Sequence, residues 1–179
     1  TLEGWTGAGA AKVSLDEAAK AMLVDVAGDD PQLVGPETTF DAKAFPILQV
    51  RAKSALPGSM KVYFTTKDSP AFDESRSVEV QAPGAEFRDV AVDLSKHPAF
   101  QGTITRLRVD PVTSGTGTFV IEDLRMLGPG GVEPAAGNNG DASDLDGSCG
   151  CRFGAAPAFS GFALLGLVGL GLVRRRRRC

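Results

Sequence analysis

The chain has 179 residues, of which 42% are hydrophobic, and a formal charge of −3, enough for one domain with a sizeable core. That charge includes five consecutive arginines near the end, so residues 1–173 carry −8, which disfavours nucleic acid and anionic lipid as partners. All three cysteines lie beyond residue 148, so residues 1–148 are not a disulfide-stapled scaffold and must be held by an apolar core.

The chain starts at Thr1 without Met or the charged and apolar regions of a leader, and the expectation is that a signal peptide, with or without further protein, precedes it. In residues 14–22 (SLDEAAKAM), Ser14 and Glu17 make a capping-box pattern ahead of good helix formers. A short helix, or a loop leading into a strand near Met22, both fit. Residues 46–54 (PILQVRAKS) alternate, with Leu48, Val50 and Ala52 on one face and Gln49, Arg51 and Lys53 on the other. Residues 60–66 (MKVYFTT) set Met60, Val62 and Phe64 on one face and Tyr63 on the opposite one. Residues 77–81, 87–94, 103–110 and 118–127 repeat the pattern between Pro-Gly, Ser-Pro, His-Pro and Gly-Thr-Gly breakers. Short alternating strands at such spacing predict an all-β fold, an antiparallel β-sandwich, over residues 1–127.

Residues that could carry chemistry are few in type. His97 is the single histidine and precedes Pro98 in a predicted turn, so a catalytic dyad would need a remote partner. Asp29, Asp30, Asp110, Glu122 and Asp123 could, in pairs, supply oxygen ligands to calcium. Turn capping and solvated strand faces are the ordinary uses of such carboxylates. Asp and Glu are too numerous for their presence to mark a glycosidase acid and nucleophile, and there is no phosphate loop, zinc spacing or nucleophile elbow.

Gly4-Trp5, Gly28-Asp29-Asp30-Pro31, VRAK (50–53), YFTT (63–66), VDLSKHPAFQG (92–102), LRVDP (107–111) and GTFVIEDLR (117–125) follow one another in an order that resembles the galactose-binding-like jelly-roll domains of bacterial surface proteins and polysaccharide-degrading enzymes. The resemblance implies a jelly-roll β-sandwich, mostly noncatalytic in function, that binds carbohydrate and in many members keeps a structural calcium. Sugars stack their apolar faces on flat aromatic rings, which makes Trp5 and Tyr63 candidate binding residues. Phe100 stands where the relatives often show Trp, and Phe lacks the indole donor. Trp5, close to the start, fits a core plug as well. For calcium the resemblance points to Glu3 and Asp123.

Residues 128–148 (GPGGVEPAAGNNGDASDLDGS) lack large apolar groups and read as a flexible, disordered linker. Asp144-Leu145-Asp146-Gly147 opens like a calcium loop, but position 12 falls on Ala155 rather than Glu. Residues 149–179 begin with Cys149-Gly150-Cys151, continue through 21 uncharged residues (153–173) and reach Arg174, Arg175, Arg176, Arg177 and Arg178. That run is long enough to span a membrane as a transmembrane helix, with the arginines as a cytoplasmic stop. Two cysteines one residue apart would close a strained ring, and no further ligands complete a zinc site. Residues 147–178 resemble the MYXO-CTERM protein-sorting tail of myxobacteria and relatives. The resemblance implies that Cys149 or Cys151 is the processing point for a myxosortase-type membrane protease. Cys179 lies outside that pattern and fits no prenylation box.

These readings combine into an exported, noncatalytic protein of the cell envelope or outer surface, membrane-anchored before processing, with polysaccharide or glycan as partner. Two alternatives stay open. One is a structural or adhesion protein of the envelope without sugar binding; the other is the C-terminal accessory part of a longer polysaccharide-active enzyme.

Overall fold

Strands form where alternation predicted them. The computed structural model describes residues 2–133, and they build β1 (Thr6–Asp16), β2 (Ala21–Val34), β3 (Phe40–Asp41), β4 (Ile47–Ser54), β5 (Ser59–Thr66), β6 (Ser77–Gln81), β7 (Arg88–Asp93), β8 (Thr103–Asp110) and β9 (Ser114–Leu127). All pairings are antiparallel and follow the order β6-β5-β8-β2-β9-β4-β7, with β1 added to β2 and β3 to β8. Among the described residues no helix is long and apolar enough to cross a membrane. The linker from residue 134 on, the apolar run 153–173, Cys149, Cys151 and the terminal arginines lie outside the described residues.

The 14-residue β2 changes partner midway. Residues 22–29 pair with β9, whereas Leu33 and Val34 pair with β8. The change falls on Gly28-Asp29-Asp30-Pro31, where Asp30 has a positive φ of 55° and Pro31 has no N–H to give to a ladder. Opposite it, β1 carries a bulge between Gly9 and Ala11, the device that bends a strand pair most cheaply. The paired β1 and β2 therefore pass from a β9-β4-β7 layer to a β8-β5-β6 layer, and the fold is an all-β antiparallel sandwich.

One apolar cluster fills the space between the layers. Met22, Val24, Leu48, Val50, Phe119 and Ile121 enter it from one layer, and Met60, Val62, Phe64, Ile104 and Val109 from the other; all are fully buried. Within β2, β4, β5 and β9 these residues stand at every second position, so a register slip of one residue would put them in water; on β8 the register shift opposite Thr65 and Thr66 lets both Ile104 and Val109 face inward.

The helix option for residues 14–22 is not taken. Ser14 pairs with Leu23 inside the β1–β2 ladder, and Asp16 Oδ1 accepts from the backbone N–H groups of Ala18 and Ala19 at 3.0 and 2.9 Å to close the turn. A single short helix gains too little to stand alone in water, while the ladder satisfies the same backbone groups in register with β2.

Candidate functional site

The outer surface of the β5–β8 layer carries the best-built polar cleft. It holds about 360 Å³ and is lined by Asp29 and Asp30 from the β2 corner, Ser59, Lys61 and Tyr63 from β5, Asp110 from the end of β8, and Val112, Thr113 and Ser114 leading into β9. Cross-strand register composes its floor. Lys61 lies opposite Asp110 and Tyr63 opposite Arg108, so four chemically complementary side chains fall on one face at adjacent positions.

Those four are linked through a fifth residue. Glu74, in the short turn Glu74–Arg76, accepts the Tyr63 hydroxyl through Oε2 at 2.6 Å and the Lys61 ammonium through Oε1. The Arg108 guanidinium lies 3.9 Å above the Tyr63 ring centre and 5.5 Å from that of Phe72. Its Nη2 donates to Asp110 Oδ2 at 2.7 Å. The circuit runs Lys61, Glu74, Tyr63, Arg108, Asp110.

The electrostatics follow from who is paired and who is dry. The hydrogen bond from Lys61, and after it that from Tyr63, holds the Glu74 carboxyl below its ordinary value. Burial pushes the Tyr63 phenol up, and its bond to Glu74 adds to the shift. Burial also raises Asp110, with Arg108 opposing and Asp30 and Glu74 adding. Asp110 is 7% exposed, and its Oδ1 has no hydrogen-bond partner among the described residues; neither has Arg108 Nε. A desolvated carboxylate oxygen without a donor is costly to keep.

A carboxyl depressed on folding stabilises the fold above its unfolded value and loses that contribution as pH falls through the folded one. For Glu74 the stability gap between the native chain and Glu74→Gln should therefore be full above pH 4.5 and close on further acidification. Urea unfolding at a series of pH values reads it, and a gap that stays constant down to about pH 3 would contradict the ion-pair account.

The candidate aromatic residues are dispersed. Trp5 is 4% exposed and lines a small apolar cavity with Gly35, Pro36, Phe40, Leu124 and Met126. Phe100 is 5% exposed and meets Phe64 edge-on, the ring centres 5.0 Å apart. Tyr63 does fall on the face opposite Met60, Val62 and Phe64 and does line the cleft, but at 6% exposure beneath Arg108 it offers an edge and a hydroxyl rather than a stacking platform. His97 meets Phe64 edge-on and accepts the Ala99 N–H at 3.2 Å, a turn role.

Glu3 is exposed in the loop before Trp5. Asp123 Oδ2 lies 3.2 Å from Arg125 Nε, and Arg51, Glu122 and Asp89 continue a charged lattice beside it. Calcium takes about 6–8 oxygen ligands, and the described residues contain no group of three or more acidic, His or Cys side chains able to hold a metal. With a guanidinium at its carboxylate, Asp123 does not fit a cation as it stands.

The sequence reading named Asp29, Asp30 and Asp110, with Glu122 and Asp123, as carboxylates that could pair on calcium, and the fold brings these three into one cleft. It missed Lys61, Glu74 and Arg108. The available signal was the i, i+2 spacing of Lys61 with Tyr63 and of Arg108 with Asp110, which puts each pair on one strand face. Two other surface hollows, around Pro57 and Pro83 and around Lys67 and Gln101, contain no buried side-chain oxygen or nitrogen lacking a partner.

No family model matches the chain, and no curated protein matches it. Solved structures do. A CBM4 protein is 12% identical with a TM-score of 0.48, over 70% of this chain and 87% of that one. The family 11 carbohydrate-binding module from Clostridium thermocellum, in complex with a β-1,3-1,4-mixed-linked tetrasaccharide, is 15% identical with a TM-score of 0.47, over 73% and 90%. The glycoside hydrolase domain of Endo-D from Streptococcus pneumoniae R6 is 17% identical with a TM-score of 0.48, over 65% of this chain and 20% of that one.

Proposed function

We propose that the sandwich is a noncatalytic carbohydrate-binding module of the cell envelope, that its glycan site is the Asp110 cleft, and that the tail at residues 147–178 directs it there. One observation carries the binding reading. Asp110 lines the cleft and its Oδ1 is buried without a partner, as is Nε of Arg108, which is bonded to Asp110 through Nη2; one is an acceptor and the other a donor. A sugar hydroxyl can donate to the first and accept from the second. Ser59, Thr113 and Ser114 add hydroxyls around the same space. Recognition is then polar rather than built on ring stacking, since the one aromatic side chain lining the cleft, Tyr63, is buried beneath Arg108.

The noncatalytic reading is supported by the engagement of the acid–base groups. Glu74 is tied to Lys61 and Tyr63, Asp110 to Arg108, and His97 serves a turn. The sorting reading rests on the cysteine motif, apolar run and arginine block. If it holds, the mass of the mature chain recovered from the envelope ends at the cysteine motif; an intact tail on the mature protein removes it.

The test of the binding reading is calorimetric titration of the full chain, in detergent, against a panel of soluble polysaccharides. At least one should bind saturably. Asp110→Asn, which keeps the shape but removes the charge, should weaken it about ten-fold, the scale of a hydrogen bond to a charged group. Absence of saturable binding across the panel sinks the glycan reading and favours a structural envelope protein. Calcium is varied in the same series: a rise in melting temperature on adding it, lost in Asp123→Asn, is what the Glu3–Asp123 resemblance requires.

A further inference from the structure

Charge around the cleft is lopsided once the internal pairs are removed. Four carboxylates face or border it, those of Asp29, Asp30, Asp110 and Glu74, against the two cations Lys61 and Arg108. Both cations are already engaged, Lys61 by Glu74 and Arg108 by Asp110 Oδ2 and the Tyr63 ring. Asp30 Oδ2 accepts only the neutral Gln32 amide, at 2.6 Å. With Lys61 set against Glu74 and Arg108 against Asp110, the charge left over is negative and sits on Asp29 and Asp30, beside the unpartnered Oδ1 of Asp110.

We infer that this cleft selects an amino sugar bearing a free, protonated amine over neutral or acidic sugars. The inference rests on the glycan reading above and names its ligand class. An ammonium brings three donors and no acceptor, which matches a wall whose free groups are carboxylate oxygens. A neutral hydroxyl satisfies Asp110 with a single donor and leaves the excess charge in place. A uronate or sulfate meets like charge. Acetylation of the amine removes both the charge and two of the donors, so it converts a matched ligand into a mismatched one. Because Asp110 is nine-tenths buried, its interaction with a cation is weakly screened. Desolvation and the nearby Asp30 and Glu74 strain its charged form, and an arriving ammonium relieves that strain.

The probe is a fully deacetylated glucosamine tetrasaccharide, compared with its fully N-acetylated counterpart, a glucuronate oligomer and a tetralysine peptide. The full chain is titrated at low salt and mildly acidic pH, where the sugar amine is protonated. The deacetylated sugar should bind at least ten-fold tighter than the acetylated one, with no binding of the glucuronate. The preference should vanish in Asp110→Asn. It should shrink in the double variant Asp29→Asn/Asp30→Asn, whose two exposed side chains are replaced without touching the core. Equal binding of acetylated and deacetylated sugar, both weakened by Asp110→Asn, overturns the amine inference and keeps the glycan site. Tetralysine binding as tightly as the amino sugar overturns it in favour of unselective cation attraction. Silence of all four probes together with the neutral polysaccharide panel removes both readings.

Discussion

Phe64→Ala is expected to destabilise the sandwich by about 3–5 kcal/mol, the usual cost of emptying a buried phenylalanine site. Phe64 is fully buried and sits where the β5–β8 layer meets the segment 97–100. Phe100 and His97 approach its ring edge-on at 5.0 and 5.2 Å. Removal takes away apolar contact and two aromatic pairings at once, and neither neighbour can collapse into the gap, because His97 is held by Ala99 and by its own turn. Domains of this size are stable by about 5–15 kcal/mol, so the loss is a large fraction of the total. Phe64→Leu, which keeps most of the volume, should lose well under half as much. Urea unfolding followed by the fluorescence of Trp5, the single tryptophan, measures both. A loss below about 1 kcal/mol for the alanine variant would mean that the two layers do not close over this residue.

The parts of the fold that could be read from the sequence are those where burial itself is periodic. β4 and β7 bury alternate residues, β5 carries Met60, Val62 and Phe64 inward at alternate positions, and the limits of β4 to β8 fall within a residue of the alternating segments. β1 shows why the rest was hidden. Its sequence TGAGAAKVSLD lies at the rim of the β2 layer with one buried residue, Ala11, so nothing in its side chains records which face is inward. β2 is apolar at both ends but interrupted by the partner change at residues 28–31, and a propensity for helix in residues 14–22 was overridden by pairing partners far along the chain.

The site was less legible for a similar reason. Its floor depends on the register that sets Lys61 against Asp110 and Tyr63 against Arg108, and on a loop that returns Glu74 over them. Neither relation is contained in any one segment. The aromatic candidates failed as platforms because tryptophan and phenylalanine near strand ends gain more from burial than from exposure. Trp5 and Phe100 accordingly close the core, and the cleft is left to charge and hydroxyls.

Gly9→Ala should be the most damaging substitution outside the core, and it links the fold to the site. Gly9 has a φ of +58°, and a Cβ there would lie 2.1 Å from the backbone carbonyl oxygen of Asp30. That oxygen belongs to the corner where β2 leaves β9 for β8, so it can move only by opening the bulged pairing with β1. The left-handed backbone alone costs a side-chain-bearing residue roughly 1–2 kcal/mol. The overlap raises the expected total to about 3 kcal/mol. Gly102→Ala separates the two contributions, because Gly102 has a φ of +67° and open space where its Cβ would stand; it should lose only the backbone part. If Gly9→Ala loses no more than Gly102→Ala in urea unfolding, the tight β1–β2 corner is wrong. Displacing Asp30 also moves Asp29 beside it, so residual folded Gly9→Ala should bind the amino-sugar probe more weakly than the native chain, while Gly102→Ala binds it unchanged. The corner that lets one long strand serve both layers is then the same corner that holds two carboxylates at the cleft.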